Sequence, residues 1–237
     1  MSNPVIDRLS TTEGLYDAFK LGDIASSWFL GYGSTQSKLS KLQKTFNRAS
    51  TLISSINTVK QLGDTIGSLS VVRSELSLPE SDGSKQQKVA KATANFARNC
   101  LDSTIALSDT AVSFHDAKWI DLGQNVRSVN AIFYGADIIG NTLDIKADLN
   151  KIEKRAAKIN NDQHSEIKKK SFFHKNVISH INIIKNCCCL IGSIMGLISL
   201  FLGGPVALPI IGLVLSSTWI VSKISIYFYR LFTLGAR

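Results

Sequence analysis

Proline is scarce in this chain of 237 residues. Its four occurrences are Pro4, Pro79, Pro205 and Pro209. Because proline breaks helices by removing a backbone N–H donor, nothing between residues 80 and 204 is forced to interrupt a helix in this way. Runs of alternating β-branched residues bounded by turns, which would indicate strands, are also absent. The sequence therefore predicts an all-α protein.

Charge is absent from residues 186–222. This block is too long for one core helix and long enough for two short membrane spans. Gly203-Gly204-Pro205 interrupts it near its middle, which predicts two helical arms, 187–202 and 206–222, each about 24–26 Å long. Residues 186–229 are therefore predicted to form a C-terminal two-helix transmembrane hairpin.

The flanks of this block are basic, with Lys185 before the first arm and Lys223 after the second. Positive charge on both flanks predicts that both ends face the cytosol and that the turn faces away. Trp219 suits the membrane interface. Small residues in the arms would allow them to pack closely. The anchor residues of this kind are Cys187, Gly192, Gly196 and Gly212.

The net charge of +9 lies entirely in the last third of the chain. Residues 1–150 are balanced, whereas residues 161–185 form a basic segment that contains Lys168, Lys169 and Lys170. We interpret this segment as a juxtamembrane linker that contacts anionic lipids, and residues 230–237 as a short basic tail. The basic run lacks interleaved aromatic residues, which disfavours binding to nucleic acid.

Cysteine is used sparingly, and Cys187, Cys188 and Cys189 are consecutive. Neighbouring cysteines form neither an ordinary disulfide framework nor a spaced zinc site. They serve either as small membrane-compatible residues or, beside Lys185, as acceptors for S-palmitoylation.

Residues 1–160 are predicted to form an amphipathic helical bundle exposed to the cytosol, with its main loop at 74–88. Thr11 or Thr12 is a candidate N-cap for a first helix, and a third helix is predicted to begin near Asp116. A helix over 37–62 is either a bundle helix or a membrane-surface helix. Its apolar face consists of Leu39, Leu42, Phe46, Ala49, Ile53 and Ile56.

Catalytic signatures are missing from the chain: it has no Gly-x-Ser-x-Gly, Walker A, dinucleotide-binding or His-Glu-x-x-His motif. We therefore expect no enzyme activity, cofactor or metal. The first 30 residues also lack the unbroken apolar core of a signal peptide. Insertion into a membrane is thus expected to use the C-terminal segment or a dedicated export route.

The uncharged block divided by Gly203-Gly204-Pro205 resembles the bilobed hydrophobic domain of chlamydial inclusion-membrane proteins. This resemblance implies export by type III secretion, insertion in the inclusion (vacuole) membrane, and exposure of both termini to the host cytosol. It implies a non-enzymatic role in which a helical surface recruits cytosolic partner proteins. Homo-oligomers are compatible with this role.

The order of features is also similar to the peroxin-eleven family of peroxisomal membrane proteins. The similar segments are 12–20 (Thr-Glu-Gly-Leu-Tyr-Asp-Ala-Phe-Lys), the amphipathic 38–48, and 184–190 (Ile-Lys-Asn-Cys-Cys-Cys-Leu). This resemblance implies membrane elongation by an amphipathic helix during peroxisome proliferation and fission. The two resemblances lead to different organelles. The bilobed segment and the general composition favour the inclusion-membrane family, and the peroxin-eleven family is the alternative.

Overall fold

The computed structural model of the chain describes residues 9, 11–32, 36–77, 84–161, 166–202, 209–230 and 233. Within these residues the chain forms helices and no strand. The helices are α1 (Thr12–Tyr32), α2 (Gln36–Ser77), α3 (Ser84–Asp116), α4 (Val126–Asn161), α5 (Glu166–Leu202) and α6 (Pro209–Tyr229), with a 3-10 turn (Gly123–Asn125) before α4. The predicted all-α fold class is confirmed.

The helices pack as a closed ring. Each helix contacts the next helix along the chain, and α6 returns to contact α1. The connections are short, so consecutive helices lie side by side and run antiparallel. Trp28 of α1 donates its indole N–H to Ser217 of α6 at 2.9 Å, which ties the first helix to the last. The two apolar C-terminal helices are therefore members of the ring, with α4 on one side and α1 on the other.

The ring has two ends, which we call the tip and the base. At the tip α5 finishes, and Arg127 near the start of α4 donates to the Leu200 carbonyl at 2.6 Å. At the base α5 begins, and Arg155 late in α4 donates to Ser179 at 3.0 Å. The connection between α3 and α4 thus lies at the level of the hairpin tip. Toward the base, α2 with 42 residues extends well past α6 with 21.

The first helix begins as its sequence predicts. The Thr11 hydroxyl accepts a hydrogen bond from the Gly14 N–H at 3.0 Å, which satisfies one of the free donors at the helix start. The third long helix does not begin at Asp116, because Asp116 is the last residue of α3. Lys118 adopts a φ of 62°, which a continuous helix excludes.

The predicted linker at 161–185 is helical from Glu166 onward, and it continues without a break into the apolar arm. Lys168, Lys169 and Lys170 lie in the first turns of α5. The predicted loop at 74–88 is also shorter in the structure, because α2 reaches Ser77 and α3 begins at Ser84.

Two predicted features cannot be placed. The turn Gly203-Gly204-Pro205 and most of the basic tail at 230–237 lie outside the described residues.

The predicted apolar face of α2 is not its buried face. Leu42 is 46% exposed and Ile56 is 54% exposed, whereas Phe46 and Ile53 are half-buried. The side chain of Leu39 lies outside the described part of the chain. Small hydroxyl residues allow α2 to approach its neighbours, and they form the buried face. These residues are Ser50, Thr51 and Thr58.

Candidate functional site: a polar axis inside an apolar belt

Two segments, Phe172–Leu202 and Ile211–Tyr229, are long and apolar enough to cross a membrane. Only 11% and 17% of their most apolar windows are buried inside the protein. The core helices of a soluble domain would instead be largely covered by other elements. The apolar surface of these two helices therefore faces outward.

A zone that is nearly free of charge continues from these two helices to α4, α3 and α2 on one side and to α1 on the other. It does not close between α1 and α2, where Gln43, within the lysine-rich start of α2, donates to Ser27. Its only charged residues are Asp109 and Asp137. Interhelical contacts such as those of Thr58 with Thr110 and of Ser193 with Asp137 place its segments beside one another. We call this zone the apolar belt. It comprises residues 24–32 of α1, 49–59 of α2, 103–113 of α3, 128–143 of α4, 186–202 of α5 and 209–222 of α6.

The exposed side chains of the belt are almost all apolar, on the hairpin helices and on the other helices alike. On α2, α3 and α4 the large exposed residues are Leu52, Ile56, Val59, Leu107, Ile132, Ile139 and Leu143. A helix bundle in water buries its apolar stripe and exposes its polar face. This belt has the opposite arrangement, which is the one that a lipid environment favours.

The interior of the belt is polar. The Thr58 and Thr110 hydroxyls lie 2.7 Å apart across α2 and α3, and Ser193 of α5 donates to the Asp137 carboxylate of α4. Such bonds hold helices together where hydrocarbon provides no hydrophobic driving force. The buried polar residues of the belt are Ser26, Ser50, Thr51, Thr58, Ser103, Ser108, Asn141, Asn186, Ser193 and Ser222.

A cavity of about 580 Å³ occupies the centre of the ring, and all six described helices line it. Apolar side chains and polar groups alternate around its wall. One lining residue from each helix, in chain order, is Tyr16, Thr58, Asp109, Phe133, Ser193 and Trp219.

Two smaller cavities adjoin the central one. A tip cavity of about 390 Å³ is lined by polar residues that include Asp23, Asp116 and Asn130. A base cavity of about 230 Å³ is lined by residues that include Asp144 and Lys185. Each shares part of its wall with the central cavity. The tip cavity and the central cavity share Lys20, Asp109, Phe133 and Tyr134. The base cavity and the central cavity share Asp102, Ile105, Asp137, Cys189 and Trp219. The three cavities therefore follow one another along the axis of the ring.

The charged residues that line these cavities are mostly acidic. The acids are Asp23, Asp102, Asp109, Asp116, Asp137 and Asp144, and the bases are Lys20, Arg98 and Lys185. Arg98 is committed to Asp102 and Asp144, at 3.0 Å and 3.1 Å. Lys20 lies 3.6 Å from Asp23.

The glycines that were predicted to pack the two hairpin arms together have different neighbours in the structure. An added Cβ at Gly196 would overlap the ring of Tyr134, so this glycine makes room for α4 and not for α6. Gly192 and Gly212 line the central cavity, and an added Cβ at either would have no neighbour within 4 Å.

The residues predicted at the membrane interface are also placed differently. Lys223 does not extend to lipid headgroups, because it forms a 2.8 Å ion pair with the buried Asp17 of α1. The Lys223 ammonium also lies 5.4 Å from the centre of the Trp219 ring and 5.7 Å from that of Tyr16. Trp219 itself lines the central cavity and not the outer surface.

Cys187, Cys188 and Cys189 are half-buried free thiols on α5. Cys188 and Cys189 line the central cavity, so only the Cys187 side chain is not part of that wall. S-palmitoylation of these residues stays a prediction.

The sequence reasoning missed the role of three acids, Asp17, Asp109 and Asp137. A signal for two of them was present, because Asp109 and Asp137 each interrupt an otherwise uncharged stretch of helix. An isolated charge within a segment at membrane depth indicates a functional or pairing role.

Within the described part of the chain, no group of three or more His, Cys, Asp or Glu residues could hold a metal ion. The described site therefore consists of an apolar outer belt, a polar axis and an ion pair that joins the first helix to the last. No family model, curated protein or solved structure matches this chain.

Proposed function

We propose that this chain is a non-enzymatic integral membrane protein that displays a helical surface to the cytosol and recruits partner proteins there. The observation that carries the membrane part of the proposal is the apolar belt, which exposes no charged side chain among the described residues. Exposing such a surface to water would be unfavourable and would promote aggregation. Contact with lipid removes that cost.

The base is the end that faces the cytosol in this proposal. Lysine and arginine are more numerous there, on the parts of α2, α3, α4 and α5 that extend beyond the belt, than at the tip, where the start of α2 carries Lys38, Lys41, Lys44 and Arg48. Cytosolic segments next to membrane spans carry an excess of these residues. Since α1 begins and α6 ends toward the base, both described ends of the chain lie on the cytosolic side.

The partner surface lies on α2 beyond the belt. Ile66 is 70% exposed, Leu69 is 50% exposed and Leu76 is 60% exposed. Gly63 precedes these residues and Gly67 lies between Ile66 and Leu69, and an added Cβ at either glycine would have no neighbour within 4 Å. Exposed apolar residues next to small residues on one helix suit close packing by a second helix. The belt faces lipid, whereas this surface projects toward protein partners.

Proximity labelling in cells tests the recruitment. We expect wild-type protein to enrich a defined set of cytosolic proteins and the Ile66→Asp variant to lose them. The matched control is Ser70→Asp, an equal charge at a neighbouring exposed position. Equal labelling by all three proteins would reject the partner surface.

Thiol labelling tests the topology. An Asp121→Cys substitution at the tip, where the aspartate side chain is 88% exposed, should be protected from a membrane-impermeant reagent added from the cytosol. A Glu153→Cys substitution at the base should react. Reaction at both positions, together with extraction of the chain by alkaline carbonate, would reject the membrane proposal.

The membrane itself is proposed to be that of a pathogen inclusion, in keeping with the bilobed 186–222 segment. Imaging a tagged copy distinguishes this membrane from a peroxisomal one.

A second candidate function is membrane elongation, as in the peroxin-eleven family. The exposed stripe of Leu52, Ile56 and Val59 on α2, with Arg48 and Lys60 at its ends, favours this reading. A stripe of this kind can enter a lipid interface with its cations against anionic headgroups. Purified full-length protein should then convert anionic vesicles into tubules, and Ile56→Asp should abolish this effect. Unchanged vesicles would reject the candidate.

A further inference from the structure

We propose that the axis of the helix ring is a hydrated path that conducts small cations across the membrane. This inference rests on the proposed integral membrane state but adds an activity to it. The path consists of the tip, central and base cavities, which follow one another and share their walls.

The position of the cavities relative to the belt is the first argument. Belt segments of α2, α3, α4, α5 and α6 line the central cavity, and α1 contributes Tyr16 and Lys20, which lie on the base side of its belt segment. The tip cavity opens near the α3–α4 connection, where Asp116 and Asn130 line it. The base cavity reaches the opposite edge of the belt, where Asp144 and Lys185 line it next to belt residues such as Gly140 and Asn186. Together the cavities extend along the belt segment of α4, from Asn130 to Asp144.

The direction of the polar side chains is the second argument. In a lipid-embedded bundle, polar and ionisable groups face the interior or a water-filled cavity. The belt contains Asp109 and Asp137, and both line the central cavity. Ser54 donates to Asp109 and Ser193 donates to Asp137. The remaining acceptor sites of these carboxylates would be satisfied by water or by a mobile cation, as in the acidic rings of cation channels.

The balance of charge is the third argument. Six acids and three bases line the three cavities. Two of the bases have acidic partners on the same wall, Arg98 with Asp102 and Lys20 with Asp23. The remaining excess of carboxylates attracts cations and repels anions, so the path should prefer K⁺ to Cl⁻.

Gly192 offers a way to block the path. It lines the central cavity, and an added Cβ there would meet no atom within 4 Å. A phenylalanine at this position would place its Cβ in open space at the cavity wall. Gly135 of α4 provides a matched control, since it also lies in the belt, has no atom within 4 Å of an added Cβ, and lines none of the three cavities.

The experiment uses full-length protein in planar bilayers under a KCl gradient. We expect wild-type protein to conduct, with a reversal potential on the K⁺ side. Gly192→Phe should lower the conductance at least about tenfold, whereas Gly135→Phe should leave it unchanged. Equal conductance in wild type and Gly192→Phe, or a reversal potential on the Cl⁻ side, would overturn the proposal.

A second measurement does not depend on the folding of the Gly192→Phe variant. Cys188 and Cys189 line the central cavity of the wild-type protein. A cationic methanethiosulfonate reagent that enters the path should therefore reduce the wild-type conductance, and a Cys188→Ser/Cys189→Ser double variant should resist the reagent. Equal inhibition of both proteins would overturn the proposal.

Failure of this inference is distinguishable from failure of the proposed function. Protein that resists carbonate extraction but does not conduct would reject the path and leave the membrane proposal intact. Protein that carbonate extracts from the vesicles would reject both.

Discussion

The two C-terminal helices and the four helices before them differ strongly in sequence, yet they present the same surface in the structure. α5 and α6 are apolar around most of their circumference, so their membrane affinity is visible in the sequence. In contrast, α2, α3 and α4 are mixed in sequence because each has a polar inner face and an apolar outer face within the belt. Hydropathy along a helix averages the two faces, so it detects the first kind of helix and misses the second.

This comparison also changes the interpretation of the hairpin as an anchor that is separate from the rest of the chain. A hairpin that anchors a separate soluble bundle would leave the bundle intact when removed. In the ring, α5 and α6 contact α4 and α1, and their loss would open the structure on both sides. The anchor and the rest of the chain are thus expected to fold as one unit.

The ion pair between the two sets of helices gives the largest expected effect. Asp17→Ala would leave Lys223 partly buried without its 2.8 Å partner. Removing one member of a buried pair costs about 3–5 kcal/mol, and the partial exposure of Lys223 favours the lower end. Thermal unfolding in detergent measures the loss. The Asp17→Asn/Lys223→Met double variant should recover much of it, and an unaffected single variant would show that α1 and α6 are not coupled.

A charge on the outer face of α4 gives the next largest effect. Ile139 lies in the belt and is 54% exposed. If this face contacts lipid, Ile139→Arg should cost about 2.5–3.5 kcal/mol near the bilayer centre. If it contacts water, the change should stay within about 0.5 kcal/mol.

The matched control for Ile139→Arg is Ile66→Arg, because Ile66 is also highly exposed but lies beyond the belt. Unfolding of both variants in lipid nanodiscs compares them directly. Equal losses of stability at the two positions would mean that the lipid-facing surface is confined to α5 and α6.

Two glycines on α5 test the packing between the C-terminal helices and the helices before them, with a smaller expected effect on stability. Gly196→Ala should be destabilising by about 1–3 kcal/mol, because the new methyl group overlaps the Tyr134 ring. Gly192→Ala faces open space and should stabilise the helix by about 0.5–1 kcal/mol. Thermal melting of the two variants should therefore shift in opposite directions. Shifts of the same sign would contradict the placement of α5 against α4.

The smallest expected effect concerns one interhelical hydroxyl pair. Thr58→Val removes the 2.7 Å contact with Thr110 and preserves the shape of the side chain. Such bonds between membrane helices contribute about 0.6 kcal/mol on average. Thr45→Val is the control, since within the described residues the Thr45 hydroxyl donates only to the Lys41 carbonyl of its own helix. If chemical unfolding gives Thr58→Val and Thr45→Val the same free energy of unfolding, the interhelical hydroxyl pairs do not stabilise the protein.

Part of the packing could not be predicted because a helical wheel does not identify the partner of each face. Leu42 and Ile56 lie on one apolar face of α2 as predicted, but in the structure both side chains are exposed. The inward face consists of Ser and Thr, because these small residues allow close approach of the helices and bond across the interfaces. Similarly, Gly192 and Gly196 are four residues apart in sequence, yet one faces a cavity and the other faces Tyr134.

The sequence by itself determined the helical class, an N-cap at Thr11 or Thr12 and the two apolar C-terminal helices. These features depend on local properties: the absence of proline, the caps and a long run without charge. Only the tertiary structure decided that the six described helices form one ring, that Lys223 pairs with Asp17 and that Asp109 and Asp137 share one cavity. These contacts join residues far apart in the chain, and they depend on which faces meet when the ring closes between α1 and α6.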